Sequence, residues 1–209
     1  MPTPDQLTTD KKIAVLIAEG LEEVEALAVV DLLYRAGIRA DMIAVGQSLQ
    51  VTSSHRIILT CDRLLAEVDL SDYDMVVLPG GIPGTPNLKA TAPLVEEVTA
   101  RMRQGRAVAA ICAAPSILAE EGLLEGRRAT ANPAFMAVLA EHGARTSEAS
   151  VVVDGNLLTS RGMATAVDLG LEIVRFYLGD DAVEDLKAKV VYQPSWRSEE
   201  RRVGKECRS

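Results

Sequence analysis

Cys112 is the residue of this sequence that most clearly combines a reactive side chain with an informative position. It follows the apolar run Ala107–Ile111 and precedes a short segment that begins at Pro115, so a turn from a strand to a helix is predicted around it. Backbone N–H groups and the positive end of a helix stabilise a thiolate, and we therefore expect the pKa of Cys112 to fall from about 8.5 to about 6. A small cysteine packed in the core is the alternative, but the position at the turn favours a nucleophile.

Glu25 is the second candidate, in the first turns of a predicted helix. Three of its four neighbours at three- and four-residue spacing are small or apolar. A carboxyl group in such surroundings tends to keep its proton, and it can then hydrogen-bond a thiolate or move a proton. The alternative is that Glu25, like Glu22 and Glu23, only favours the positive N-terminus of the helix. The spacing alone does not separate the two interpretations.

The glycine pair Gly80 and Gly81 follows the run VVLP at the end of another predicted strand. Its backbone N–H groups are unobstructed, and together with the amide of Ala113 they could hold an oxyanion. An ordinary tight turn is an equal alternative. The surrounding sequence PGGIPG matches neither GxGxxG nor GxxxxGK[ST], so nucleotide binding has no support.

The remaining histidines and cysteines indicate no further chemistry. His55 and His142 are the only two histidines and lie far apart in sequence, so no metal site is expected. His142 precedes Gly143 at the end of an amphipathic segment and is predicted to close a helix. Cys61 follows a predicted strand with no comparable helix after it, and a structural role is expected.

The elements that position these residues are predicted from uninterrupted apolar runs. Residues 13–18, 75–78 and 107–111 are each predicted to form a strand, and helices are predicted up to Arg35 and from Pro115. Such strands joined by helices are typical of a parallel sheet covered on both faces. The carboxyl ends of parallel strands lie along one edge of the sheet, where ligands bind.

Four predicted strand ends carry unusual residues and should therefore converge. They are Glu19–Gly20, Gly80–Gly81, Cys112 and the segment Ser160–Gly162, which contains Arg161. Further elements are predicted around them: cover helices over residues 91–102 and 166–177, a strand over residues 51–59, and a hairpin over residues 151–159.

Composition excludes several classes of function. The 22 Lys and Arg against 30 Asp and Glu give a net charge of -8, which repels nucleic acids and anionic bilayers at long range. The three cysteines form no CxxC pair, which favours a reducing compartment. Neither a leader peptide nor an apolar run of the roughly 20 residues that a bilayer needs is visible. A cytoplasmic protein that binds neither nucleic acids nor membranes is expected.

One domain is expected, over residues 12–192. Residues 1–11 form a polar extension, and residues 193–209 lose the aliphatic residues of the rest of the chain and carry the opposite charge bias. The final segment is interpreted as a non-native or disordered tail, with a native basic tail as the alternative.

The strand-end segments resemble the ThiJ/PfpI superfamily, within it the clade of the parkinsonism-associated protein deglycase and its bacterial relatives. The motifs are AEGLEEVEA around Glu25, DYDMVVLPGG ending at Gly81, AAICAAPSILA around Cys112 and LLTSRGMAT around Arg161. The resemblance implies a flavodoxin-like α/β fold, with a doubly wound, mostly parallel sheet and helices on both faces. It also implies a homodimer, which the nearly all-round apolar first helix independently favours.

The resemblance further implies roles for the site residues. Cys112 would be the nucleophile and Glu25 its hydrogen-bonded partner, with oxyanion donors and substrate-binding groups supplied by Gly80, Gly81, Ala113 and Arg161. The implied activity is conversion of methylglyoxal and glyoxal to hydroxy acids without a cofactor, together with deglycation of early adducts on proteins or nucleotides. A peroxide-sensing or chaperone-like protein that works through oxidation of Cys112 is the alternative, and the sequence does not separate the two.

Two positions depart from patterns found in the superfamily. Peptidase-like members carry a histidine directly after the cysteine, where this chain has Ala113, so a Cys–His peptidase loses its base. Some members of the clade place a histidine in the loop after the next strand, where this chain has Asn132. Because Asn132 cannot accept a proton, this departure bears on the rate of turnover rather than on the thiolate.

Overall fold

The computed structural model describes residues 6–192 of the 209-residue chain. The expected extension and tail lie partly or wholly outside these residues. The strands of the described part are β1 (Lys12–Ile17), β2 (Arg39–Ala44), β3 (Gln50–Thr52), β4 (Ile58–Thr60), β5 (Arg63–Leu64), β6 (Met75–Leu78), β7 (Ala107–Ile111), β8 (Arg128–Ala129), β9 (Arg145–Thr146), β10 (Val151–Asp154) and β11 (Leu157–Ser160).

Seven of these strands form the central sheet, in the order β10-β11-β7-β6-β1-β2-β5. All neighbouring pairs are parallel except β10 with β11, which form the predicted hairpin. The chain runs from β1 to β2 on one side and later returns to place β6 on the other. The crevice between the ends of β1 and β6 is therefore the topological switch point, where open α/β sheets bind their ligands.

The helices cover both faces of the sheet, as expected. They are α1 (Glu23–Arg35), α2 (Gly84–Lys89), α3 (Ala92–Arg103), α4 (Pro115–Glu120), α5 (Met136–Glu141) and α6 (Ala166–Lys189), which is interrupted at Gly179. His142 closes α5, as predicted. No helix in residues 6–192 has the length and the apolar composition that a bilayer crossing needs.

The alternation of side chains along β1 divides the core into two layers. Ile13, Val15 and Ile17 pack in one cluster with residues of α1 and α6, while Ala14 and Leu16 pack in the other with residues of α3, α4 and α5. Both sets are fully buried, which is typical of a strand in the middle of a doubly covered parallel sheet. The flavodoxin-like, doubly wound architecture is confirmed.

One local prediction needs correction, and one strand was not predicted. The single strand over residues 51–59 is wrong, because the chain reverses there and β3 pairs with β4 antiparallel in a separate two-stranded sheet. The turn is fixed by Ser53, whose Oγ accepts the N–H groups of His55 at 3.2 Å and of Ile57 at 3.1 Å. The strand β2 was not predicted, since the charged Arg39 and Asp41 interrupt its apolar pattern.

The first helix is also better covered than its sequence suggests. α1 lies against the sheet and against α6, and the two helices approach so closely that a Cβ at Gly170 would lie 2.5 Å from Cδ1 of Leu32. The apolar side chains of α1 that stay incompletely buried are Val24, Leu27 and Ala28.

Candidate active site

Cys112 lies where the sequence predicts it, at the turn between β7 and α4. Its φ of 64° is in the left-handed region, which is uncommon for a residue with a side chain and costs about 1 to 3 kcal/mol. The turn is held from two sides, because the N–H of Cys112 donates to the carbonyl of Ser160 at 3.0 Å and its carbonyl accepts the N–H of Asn132 at 2.9 Å. A strained turn held in this way presents the partly exposed thiol at the sheet edge, in the manner of a nucleophile elbow.

Glu25 is brought against this thiol from the first turn of α1. The residue is only 1% exposed, and its Oε2 accepts the N–H of Gly80 at 2.9 Å. Its Oε1 is buried without a hydrogen-bond partner among the described residues. Burial raises the pKa of Glu25 to about 7, against the opposing effects of the Gly80 amide and the hydrogen bond with Cys112. The predicted carboxyl group that tends to keep its proton is therefore present.

The expected direction of the Cys112 pKa is wrong. Burial, followed by the charge and hydrogen bonding of Glu25, raises the pKa of Cys112 to about 12, while the amides of Ala113 and Gly81 act to lower it. Burial and the neighbouring carboxylate outweigh the effect of the helix end, and α4 has only six residues.

Glu25 and Cys112 are hydrogen-bonded to each other, so the protonation of one affects the protonation of the other. Burial raises the pKa of Glu25 to about 7, which favours its protonated form near neutral pH. A protonated Glu25 does not repel the sulfur and can donate a hydrogen bond to it. The amides of Ala113 and Gly81 then stabilise the negative charge on the sulfur. A reactive thiolate at this site therefore requires that Glu25 hold its proton.

The two glycines after β6 are required by close packing. A Cβ at Gly80 would lie 2.6 Å from the Cβ of Cys112 and 2.7 Å from Oε2 of Glu25. At Gly81, φ is 96°, and a Cβ would lie 2.2 Å from the backbone nitrogen of Glu22. Side chains at either position would displace the thiol, its partner or the start of α1. Gly80 and Gly81 thus lie where the sequence predicts them, and the oxyanion role of the Gly81 and Ala113 amides stays a prediction.

Arg161 follows β11 at the same edge, but its guanidinium is engaged elsewhere. Its Nη1 donates to the carbonyl of Glu148 at 2.9 Å, and the Glu148 carboxylate lies 4.0 Å away. These contacts hold Arg161 on the loop before β10. A direct role for Arg161 in substrate binding stays a prediction.

Asn132 does lie next to the candidate site. Its Oδ1 accepts the N–H of Ala134 at 3.1 Å, which fixes the amide at the start of a short turn. The position of a Cβ built on Gly162 would lie 3.6 Å from Nδ2 of Asn132 and 4.0 Å from Oε1 of Glu25. The side chain of Asn132 and the unpartnered oxygen of Glu25 therefore both border the space beside Gly162.

His55 is the residue near the site that the sequence did not identify. The hairpin of β3 and β4 places its Nδ1 3.1 Å from the Glu23 carboxylate and 3.7 Å from Oε2 of Glu22. Among the described residues, these three are the only grouping of His, Cys, Asp and Glu with donor atoms close enough to share an ion. The exposed imidazole is already paired with the carboxylates, and we interpret the grouping as an ion-pair cluster. No sequence pattern links the three residues, because the hairpin itself was not predicted.

Comparison with known proteins agrees with this arrangement. The family model described as the DJ-1/PfpI family matches residues 11–176, which include all four strand-end segments. The chain belongs to the DJ-1/PfpI family. The expected resemblance to this superfamily is therefore confirmed.

Individual members of the DJ-1/PfpI family match most of this chain. It is 39% identical over 182 residues to Protein DJ-1 homolog B of Arabidopsis thaliana, covering 86% of this chain but only 41% of that longer protein. The crystal structure of Drosophila melanogaster DJ-1beta superposes with a TM-score of 0.84 at 31% identity, over 88% of this chain and 100% of that one. Oxidised Toxoplasma gondii DJ-1 gives a TM-score of 0.82 at 30% identity, over 87% and 98% of the two chains.

Proposed function

We propose that this protein is a cofactor-independent cysteine enzyme that converts small 2-oxoaldehydes, such as methylglyoxal and glyoxal, to 2-hydroxy acids. The observation that carries the proposal is the proton-holding Glu25, fully buried and directly beside the thiol of Cys112. A core cysteine needs neither a strained left-handed turn nor a buried carboxyl partner. Both features have a role if a proton must move next to a sulfur nucleophile.

In the proposed reaction the Cys112 thiolate adds to the aldehyde carbon and forms a hemithioacetal. The amides of Gly81 and Ala113, which already face the sulfur, would hold the oxyanion until it takes the Glu25 proton. The Glu25 carboxylate then moves the proton of the former aldehyde carbon toward the neighbouring carbonyl, which gives a 2-hydroxy thioester. Water hydrolyses this thioester, so that one water is consumed, the thiol is regenerated and no oxidant is needed.

We extend this proposal to the removal of early adducts that the same aldehydes form on proteins or nucleotides. Their reversible forms release the free 2-oxoaldehyde or present the same carbonyl carbon to the thiol. Removal of such adducts would therefore use the same residues. Direct action on an adduct, as opposed to removal of the aldehyde after its release, would show as a first-order rate that exceeds the rate of spontaneous release.

The test is formation of hydroxy acid by the purified protein in EDTA without added thiols. We expect lactate to appear in amounts that exceed the protein and match the methylglyoxal consumed. Cys112→Ser should form lactate only at the background rate, and Cys61→Ser should behave as the wild type, because Cys61 is buried with a pKa raised to about 11. Loss of methylglyoxal without lactate, or equal lactate from Cys112→Ser, would contradict the proposal.

A second candidate function is peroxide sensing, which the partial exposure of Cys112 favours. Peroxide would oxidise the thiolate to a sulfenic acid with release of water, and a second peroxide would give the sulfinic acid. Glu25 could then hydrogen-bond the new oxygen. The solved Toxoplasma gondii relative is described as oxidised. Stable oxidation of Cys112 by micromolar peroxide, in a protein that makes no lactate, would favour this function over the first.

We also propose that the chain forms a homodimer. Val24 at the start of α1 is 40% exposed, and Ile57 and Ile58 on the hairpin that is hydrogen-bonded to the segment before α1 are 47% and 65% exposed. A second subunit would cover these large apolar side chains. Light scattering at micromolar concentration is expected to give twice the mass of the chain. The monomer mass would count against the proposal, and Ile58→Lys should shift a dimer toward that mass.

A further inference from the structure

A small space beside Gly162 is bordered by two polar atoms of the candidate site. The φ of Gly162 is 164°, which is extended backbone, so this position does not need a glycine for its conformation. A Cβ built there would lie 3.6 Å from Nδ2 of Asn132 and 4.0 Å from Oε1 of Glu25, and apart from the adjoining residues of the chain it would meet no other atom within 4 Å. A Cβ at Gly80, by contrast, would meet three atoms within 3.0 Å. The site is therefore closely packed at Gly80 but open at Gly162.

Backbone hydrogen bonds fix the two sides of this space. On one side, the N–H of Thr165 donates to the carbonyl of Gly162 at 2.8 Å, and the hydroxyl of Thr165 accepts the N–H of Gly162 at 3.1 Å. On the other side, the N–H of Asn132 donates to the carbonyl of Cys112 at 2.9 Å, and Oδ1 of Asn132 accepts the N–H of Ala134 at 3.1 Å. Because Oδ1 is engaged as the acceptor, the Asn132 amide presents the N–H donors of Nδ2 to the space.

The Glu25 oxygen at this space lacks a partner. Glu25 is 1% exposed, and its Oε2 accepts the N–H of Gly80, whereas Oε1 is buried without a hydrogen-bond partner among residues 6–192. Buried polar atoms are nearly always paired in native proteins. A bound molecule that places a polar atom beside Gly162 would contact both Oε1 and the Asn132 amide, whereas an apolar group there would leave both unpaired.

We propose that the space beside Gly162 is the subsite for the second oxygen of the substrate, on the carbon next to the aldehyde, and that Nδ2 of Asn132 donates a hydrogen bond to this oxygen. The inference rests on the proposed conversion of 2-oxoaldehydes. Both polar atoms lie within 4.0 Å of one point beside Gly162, so a substrate of two or three carbon atoms bound to Cys112 is small enough to contact both.

The same hydrogen bond assists the proton transfer in the proposed reaction. When the Glu25 carboxylate takes the proton of the former aldehyde carbon, the electron pair left behind moves onto the second oxygen and gives an enediolate. The N–H of Asn132 stabilises this negative charge without gaining or losing a proton. The second oxygen then takes the hydroxyl proton of the former aldehyde carbon, and Glu25 returns its proton to the second carbon, which gives the 2-hydroxy thioester.

Gly162→Ala and Asn132→Ser test the subsite from its two sides. The alanine methyl makes only ordinary contacts of 3.6 and 4.0 Å, so the melting temperature should be unchanged while the place of the oxygen is filled. Serine keeps a hydroxyl that can accept the N–H of Ala134 but removes Nδ2. We expect kcat/KM for lactate formation from methylglyoxal to fall about 10- to 100-fold in either variant. Gly46→Ala is the matched control, because its Cβ would meet no atom within 4 Å, and it should keep wild-type turnover.

A second measurement does not depend on turnover. Methylglyoxal and propanal have the same three-carbon chain, but propanal lacks the second oxygen. Either aldehyde protects Cys112 from iodoacetamide when it adds to the thiol, and the initial alkylation rate at Cys112 is followed by mass spectrometry. In both variants we expect half-protection to need about 3- to 10-fold more methylglyoxal and an unchanged concentration of propanal. Alkylation without aldehyde should proceed at the wild-type rate.

The outcomes separate this subsite from the proposed function. Wild-type turnover in both variants, with unchanged protection by methylglyoxal, would overturn the subsite. An equal loss of protection by both aldehydes would show that the variants disturb the thiol and not the binding of the second oxygen. A loss confined to Gly162→Ala would show that Asn132 is not the donor. If the wild type forms no lactate, the proposed function is wrong, and the protection measurement alone then supports or overturns the subsite.

Discussion

Replacing Glu25 with glutamine is expected to slow methylglyoxal turnover by about 10² to 10⁴-fold, because the variant loses the acid-base group that is hydrogen-bonded to the thiol. Glutamine keeps the shape of the side chain and an oxygen that can accept the N–H of Gly80, so the fold should be retained. The matched control is Glu22→Gln, three residues earlier and immediately before α1. Its turnover should change by less than about tenfold, since its charge acts on the pair only through space.

Glu25→Gln should also be more stable than the wild type at alkaline pH. The folded state raises the pKa of Glu25 from 4.5 to about 7, so it binds this proton more tightly than the unfolded chain. The resulting stability is complete below about pH 4.5 and is lost as the pH rises to about 7. Glutamine carries no such dependence, and Glu25→Gln should gain about 1 to 3 kcal/mol relative to the wild type between pH 5 and pH 8.

Two measurements check these expectations together. Denaturant unfolding at pH 5 and at pH 8 gives the stability difference, and lactate formation gives the turnover. Equal mild losses of turnover in Glu25→Gln and Glu22→Gln would show that Glu25 only stabilises the positive N-terminus of α1 and takes no part in proton transfer. A stability difference that does not change with pH would show that the Glu25 carboxyl is not held in its protonated form.

Gly80→Ala is the second substitution with a large expected effect. Gly80 does not require a left-handed φ, so the added methyl group is the only change. That methyl would lie within 3.0 Å of the Cys112 Cβ, of Glu25 Oε2 and of the Ile111 carbonyl, and the last of these is backbone that cannot move alone. Overpacking of this kind costs about 1 to 3 kcal/mol, and a displacement of about 1 Å in the site costs about 10²-fold in rate.

Gly46→Ala provides the matched control for this substitution. Its Cβ would meet no atom within 4 Å, and its φ is not left-handed either, so the same change of residue carries no steric cost. We expect wild-type turnover and melting temperature from Gly46→Ala, and a loss of both from Gly80→Ala. If Gly80→Ala retains wild-type turnover, the thiol and the carboxyl are not held in the close packing described.

The parts of the fold that could be predicted are those with an unambiguous local pattern. The strands β6 and β7, and β1 after Lys12, are fully buried on both faces, so their sequences are unbroken apolar runs. β2 was not predicted because Asp41 interrupts its apolar pattern. Asp41 is only 7% exposed, and its burial is tolerated because its carboxylate accepts a hydrogen bond from the Tyr73 hydroxyl at 2.9 Å. That partner lies 32 residues away in the sequence, and no local pattern could have indicated it.

The same distinction applies to the site. Cys112 and Glu25 were predictable because one sits at a strand end and the other has apolar neighbours at helical spacing. The pKa of Cys112 was not, because burial and the charge of Glu25 depend on tertiary packing and outweigh the local effect of the turn amides. His55 could not be linked to the site for a related reason. Its position depends on the hairpin of β3 and β4, which the sequence pattern of residues 51–59 did not predict.

The hydrogen bond from the N–H of Cys112 to the carbonyl of Ser160 has a consequence for the order in which the protein matures. The site joins α1 near the start of the chain to β11, which is translated more than a hundred residues later. A nascent chain that has reached β7 but not β11 carries Cys112 without the neighbour that fixes its turn, so the thiol does not yet have its native environment. The turn that carries Cys112 therefore gains its backbone partner only once β11 has been synthesised and has joined the sheet.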